Sequence, residues 1–151
     1  MQASWVRVAG MVMEGHRVAS QKSEHYPRGA VEMQLPFFRE LGLDLSPYFL
    51  GTINVSIEPH TFTMVNPQYT FHDVNWTEAH PPEHFSFSAC RILFAGQEYE
   101  AWVYYPHPET KKRHFQNPSL VEVIAKYIPG IQYGDQVELE LDPEEIEITF
   151  R

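Results

Sequence analysis

Leu50-Gly51-Thr52-Ile53-Asn54-Val55-Ser56-Ile57 is the stretch on which the reading of this chain turns. Ile53, Val55 and Ile57 alternate with Asn54, Ser56 and Glu58, the period-two signature of a strand with one buried face. Thr52 and Asn54 then project to the same side, away from the apolar set. Asparagine is a poor strand former, so its place here asks for a reason. A hydroxyl and an amide oxygen two residues apart can jointly reach one hard cation, because magnesium prefers oxygen ligands and is commonly shared with substrate phosphates. The plain alternative is the solvated face of an edge strand.

The same alternation recurs on either side. Phe85, Phe87 and Ala89 alternate with Ser86, Ser88 and Cys90; Tyr99, Ala101, Val103 and Tyr105 alternate with Glu100, Trp102 and Tyr104. Near the C-terminus, Val137, Leu139 and Leu141 alternate with glutamates, as do Ile146, Ile148 and Phe150 with Glu147 and Thr149. Ala95-Gly96-Gln97 and Asp142-Pro143-Glu144-Glu145 read as hairpin turns between neighbouring strands. Two short helices are predicted among the strands. Pro36 to Leu41 stops at Gly42, a good C-terminal residue. Asn117 to Tyr127 has Asn117 as N-cap, Pro118 in the first turn and Pro129-Gly130 as its stop. Many strands with two small helices predict a mostly β fold, a barrel or an α+β arrangement.

The 151 residues fit one domain over 1–151, with 43% apolar and 14% aromatic residues to fill a core. No apolar run is long enough to span a bilayer, and the N-terminus lacks a secretory pattern. The single cysteine, Cys90, excludes an internal disulfide framework and reads as a small core residue. Together these features predict a cytoplasmic protein with no membrane partner. A net charge of -9 disfavours duplex nucleic acid as a partner, including the reading as a DNA-binding swapped-hairpin barrel. It leaves room for a small nucleotide held by a local basic patch and a metal ion.

Other candidates stand beside plainer readings. Glu122, the only acid on the second predicted helix, either pairs with Lys126 one turn on or is aimed at a polar ligand. Ser20 to Gly29 is a polar loop with two cations, Lys22 and Arg28, which either is simply solvated or cradles phosphate. His72, His80 and His84 lack the spacing of a zinc site. Common lysine-type phosphate loops, nucleophile elbows and dinucleotide glycine fingerprints are missing from the sequence.

In order and spacing these pieces resemble the archaeal CTP-dependent riboflavin kinase family, from about Val12 to Ile148. The carrying motifs are Met13-Glu14-Gly15, Leu35-Pro36 with its short helix, Gly51-Thr52-Ile53-Asn54, Pro106-His107-Pro108-Glu109-Thr110, Glu122-Val123-Ile124-Ala125 and Gly134-Asp135. The resemblance implies a small closed six-stranded cradle-loop barrel. It implies transfer of a phosphate from a nucleoside triphosphate, CTP in the family, to riboflavin with Mg2+. Thr52 and Asn54 would hold the metal and phosphate, and Thr110 and Glu122 the flavin substrate, with Glu122 also a candidate catalytic base. Gly15, Lys22, Arg28 and Gly29 would lie on the nucleotide side. There, Ser20–Gly29 replaces the family's glycine-rich loop, and charge would take over from backbone contacts. The alternative is a flavin- or nucleotide-binding module of the same fold without catalysis.

Overall fold

A computed structural model describes residues 4–14, 30–79, 81–110 and 117–151. Its strands are β1 (Val6–Met13), β2 (Ile53–Ser56), β3 (Thr61–Met64), β4 (Tyr69–Val74), β5 (Glu83–Phe94), β6 (Gln97–Pro106), β7 (Leu120–Ala125), β8 (Gln136–Leu141) and β9 (Ile146–Thr149), with one helix, α1 (Ala30–Glu40). β5, β6, β7, β2, β1 and β8 are hydrogen-bonded in that order, and β8 pairs back onto β5. All these pairings are antiparallel, so the six strands form a closed barrel with no free edge of its own. β4 extends the sheet beside β5, and β3 pairs with β9 as a separate ribbon.

Most of the period-two residues fill the lumen, but Phe85 and Phe87 face outward. Val8 and Val12, Val55, Cys90 and Ile92, Ala101 and Val103, Val121 and Val123, and Val137, Leu139 and Leu141 form one buried cluster. Cys90 belongs to it as the sequence suggests, and burial pushes its thiol pKa up. A second core lies outside the barrel wall. There α1 lays Val31 and Phe38 against Phe85, Phe87, Tyr104 and Ile124, with Phe71, Val74 and Trp76 closing the side. Phe38 sits among three rings, 5.1 Å from Phe85 and 5.0 Å from Phe87 edge-on, and 6.0 Å from Phe71. Tyr104 donates its hydroxyl to Gln34 Oε1 at 2.7 Å, which satisfies two buried polar groups where α1 meets the barrel.

Helix α1 is longer than the sequence suggests and runs through Pro36. Its end is a Schellman motif: Leu43 N–H bonds Phe38 O at 2.9 Å, Gly42 N–H bonds Arg39 O at 3.2 Å, and Gly42 takes φ 115°. The second expected helix is a correction: Leu120–Ala125 is strand β7. Asn117 does cap, but it caps a turn, accepting Ser119 N–H on Oδ1 at 2.9 Å. Val121, Val123 and Ala125 then fill the lumen while Ile124 joins the outer core. A strand covered on both faces is nearly continuous in apolar residues, and that pattern mimics a buried helix. The Ala95-Gly96 turn joins β5 to β6 as expected, with both residues at positive φ. Asp142–Glu145 turns the chain as well, but β9 pairs with β3 and not with its neighbour β8.

Candidate functional site

At one end of the barrel the start of β2, the end of β1 and the turn before β8 enclose a cleft of about 370 Å³. Among the described residues it is lined by Val12, Thr52, Ile53, Asn54, Ile131, Gln132 and Tyr133. Val12, Ile53 and Ile131 belong to or pack on the lumen core and give the cleft an apolar floor. Thr52 and Asn54 bring a hydroxyl and an amide to its rim, and neither side chain makes a hydrogen bond to a described residue. The structure thus brings the two expected metal-side residues to one concavity.

The third wall was not read from the sequence. Residues 131–135 form a turn pinned to β1: Gly134 N–H bonds Val12 O at 2.7 Å and Val12 N–H bonds Asp135 O at 2.9 Å. Within the turn, Asp135 Oδ2 accepts Gln132 N–H at 2.8 Å, and Asp135 N–H bonds Gln132 O at 3.1 Å. Gly134 takes φ 91°, a conformation that costs a side-chain-bearing residue. Gly134-Asp135 was the available signal; that the turn carries Ile131, Gln132 and Tyr133 into a cleft needed the β1 pairing to be known.

Glu122 lies one strand further on. It is the direct cross-strand partner of Asn54 in the β2–β7 ladder, which puts both on one face, outside the lumen. Both side chains are half-buried. Tyr104 lies near, on the same wall. Burial first, then the carboxylates of Glu122 and Glu83, push its phenol well above the ordinary value. Glu122 is not among the cleft-lining residues. The side-chain oxygens of Thr52, Asn54 and Glu122 are of the kind that suits a hard cation such as Mg2+ and not zinc.

Thr110 stands elsewhere. It is built into a corner where the end of β6 folds back on the start of β5. Its hydroxyl accepts His84 N–H at 3.0 Å and donates to His107 O at 3.2 Å. His107 extends this corner, with Nδ1 3.1 Å from Glu109 Oε2 and Nε2 2.6 Å from Ser86 Oγ, which in turn meets Thr70 Oγ1 at 2.9 Å. The Glu109 carboxyl is held below its usual pKa by its own backbone N–H and then by His107. Ser86 is fully buried, so its hydroxyl acts here as an internal brace and is no accessible nucleophile. His72 and His84 touch edge to face at 4.9 Å, but no three His, Cys, Asp or Glu side chains among the described residues form a metal site. Thr110 is not among the cleft-lining residues. Gly15, Lys22, Arg28, Gly29 and His80 lie outside the described residues.

No described helix is long and apolar enough to cross a membrane. Compared with known proteins, the chain matches no family model and no curated sequence at a significant level.

Proposed function

We propose that the chain is a riboflavin kinase-like phosphotransferase built on a cradle-loop barrel, moving a phosphate from a nucleoside triphosphate to the ribityl hydroxyl of riboflavin with Mg2+. The observation that carries this reading is the grouping of Thr52, Asn54 and Glu122. Two side chains whose oxygens bond no described residue stand at the rim of a cleft of ligand size, and a carboxylate stands directly across the ladder from one of them. Phosphoryl transfer asks little covalent chemistry of a protein; positioning and charge neutralisation do most of the work. Asn54 and Thr52 would hold the cation, which when bound supplies neutralisation of the transferring phosphates. Glu122 would orient the accepting hydroxyl and take its proton, within the reach that its place opposite Asn54 gives. The apolar floor of Val12, Ile53 and Ile131 would exclude water from one side of the bound ring system.

A second reading is favoured by Thr110. Its proton is committed to His107 O and one lone pair to His84 N–H, so the residue has little left for a flavin. A barrel that binds a nucleotide without phosphorylating riboflavin would show this feature. The experiment that separates the two is incubation with riboflavin, Mg2+ and CTP, ATP or GTP, with chromatographic detection of FMN. FMN that depends on both triphosphate and Mg2+ supports the phosphotransferase. Ligand-induced thermal stabilisation without FMN supports the binding module.

A further inference from the structure

Tyr133 is 62% exposed, yet it is held on a turn pinned by several hydrogen bonds. Residues 131–135 are fixed by the paired bonds between Val12 and the Gly134-Asp135 segment and by the Gln132–Asp135 closure described above. Such a turn leaves the Tyr133 ring little backbone freedom to lose on binding. Among the described residues the ring makes no aromatic pairing and its side chain no hydrogen bond. It lines the same cleft as the apolar Val12 and Ile53 and the polar Thr52 and Asn54. An aromatic wall, an aliphatic floor and an oxygen-bearing rim match a ligand with a planar ring at one end and an oxygen-rich chain at the other.

From this we infer that Tyr133 is the stacking residue for the planar heteroaromatic ring of the ligand, and that the ring is recognised by its face. The inference rests on the reading of the cleft as the phosphotransferase site and adds to it how the ring is chosen. Every nucleobase and the flavin ring have a π-face, so stacking binds without selecting among bases, whereas edge hydrogen bonds would select. The Gln132 backbone N–H on this wall is already spent on Asp135 and is not available to a ring edge.

The test titrates riboflavin, by quenching of its fluorescence, and CTP and ATP with Mg2+, by calorimetry, into the wild-type chain, Tyr133→Phe, Tyr133→Ala and Asn54→Ala. Thermal melts accompany each variant, and the exposed position of Tyr133 should leave them near wild type. Stacking predicts that Tyr133→Phe stays within about twofold of wild type and that Tyr133→Ala weakens binding about tenfold or more. A loss confined to riboflavin assigns the ring to the flavin; an equal loss for CTP and ATP assigns it to the nucleobase. Unchanged binding of every ligand by Tyr133→Ala, or a loss for CTP far greater than for ATP, overturns the inference while leaving the phosphotransferase reading to the Asn54→Ala result. Absence of any binding by the wild-type chain overturns both.

Discussion

Asn54 and Glu122 face each other across the β2–β7 ladder, on the wall of the barrel that looks away from the lumen. Directly opposed side chains on one face of an antiparallel pair have their Cβ atoms about 5 Å apart. Their oxygens can therefore reach one ligand between them. Because Asn54 is outside the lumen core of Val55 and Ile57, Asn54→Ala should leave the melting temperature within a few degrees of wild type. Magnesium-dependent nucleotide binding should be lost. An unfolded or strongly destabilised variant would show that the residue is structural.

Glu140 lies at the seam where the barrel closes, and it should matter for stability in a pH-dependent way. It is the cross-strand partner of Arg7 on β1 and of Arg91 on β5, with contacts of 2.9 Å and 3.0 Å. Hydrogen bonding to Arg7 first, then to Arg91, holds its carboxyl below the usual carboxylate pKa. A depressed folded pKa gives stability that is present above the unfolded value near 4.5 and is lost as pH falls through the folded value. Glu140→Gln should cost about 1 kcal/mol or less near pH 7, since both arginines are largely solvated and the pairs are screened by salt. The deficit should shrink below about pH 4. Denaturant unfolding at pH 7 and pH 3.5 checks this.

Glu145 is expected to behave in the opposite sense. Its carboxyl pKa is raised by burial first and then by Asp142, while the Ser88 hydroxyl pulls the other way. Ser88 Oγ and Glu145 Oε1 are nonetheless both buried without a well-formed hydrogen bond, and burial outweighs the Ser88 contribution. A raised folded pKa means that ionisation opposes the fold. The penalty is absent below the unfolded value near 4.5 and grows as pH rises through the folded value. Glu145→Gln should raise the melting temperature at pH 7 and give little change at pH 4. A lower melting temperature at pH 7 would contradict the assignment.

Much of this barrel was legible from sequence because its lumen obeys a strict period of two. Val137, Leu139 and Leu141, or Ala101 and Val103, declare their buried face without any knowledge of partners. Thr52 and Asn54 were legible for the same reason, as polar residues set against a buried alternation. Strand β7 was not, because both its faces are covered. Leu120-Val121-Glu122-Val123-Ile124-Ala125 then carries the apolar density of a helix, and the Asn117-Pro118 start imitates a helix cap. The register that sets Glu122 opposite Asn54, and the bonds that tie the Tyr133 turn to Val12, depend on pairings between residues far apart in the chain. Local patterns do not record such pairings.

The outer core should depend on one side chain. Phe38 is fully buried among Phe71, Phe85 and Phe87, and it is the main ring that fastens α1 to the barrel wall. Phe38→Ala should cost about 3–5 kcal/mol, the range for emptying an aromatic site in a packed core. Hydrogen exchange should show α1 opening before the β5–β8 seam, because the lumen core does not include Phe38. Equal loss of protection in both would show that the two cores unfold as one unit.

The central claim is that the Thr52–Asn54 cleft takes a magnesium-bound nucleotide beside a flavin. Titration calorimetry of CTP with Mg2+, and of riboflavin, into the wild-type chain and Asn54→Ala tests it most directly. The expected result is saturable binding of both ligands by the wild-type chain, with nucleotide binding that requires Mg2+ and disappears in Asn54→Ala while riboflavin binding persists. No heat from either ligand in the wild-type chain, or nucleotide binding unchanged by Asn54→Ala and indifferent to Mg2+, would contradict it.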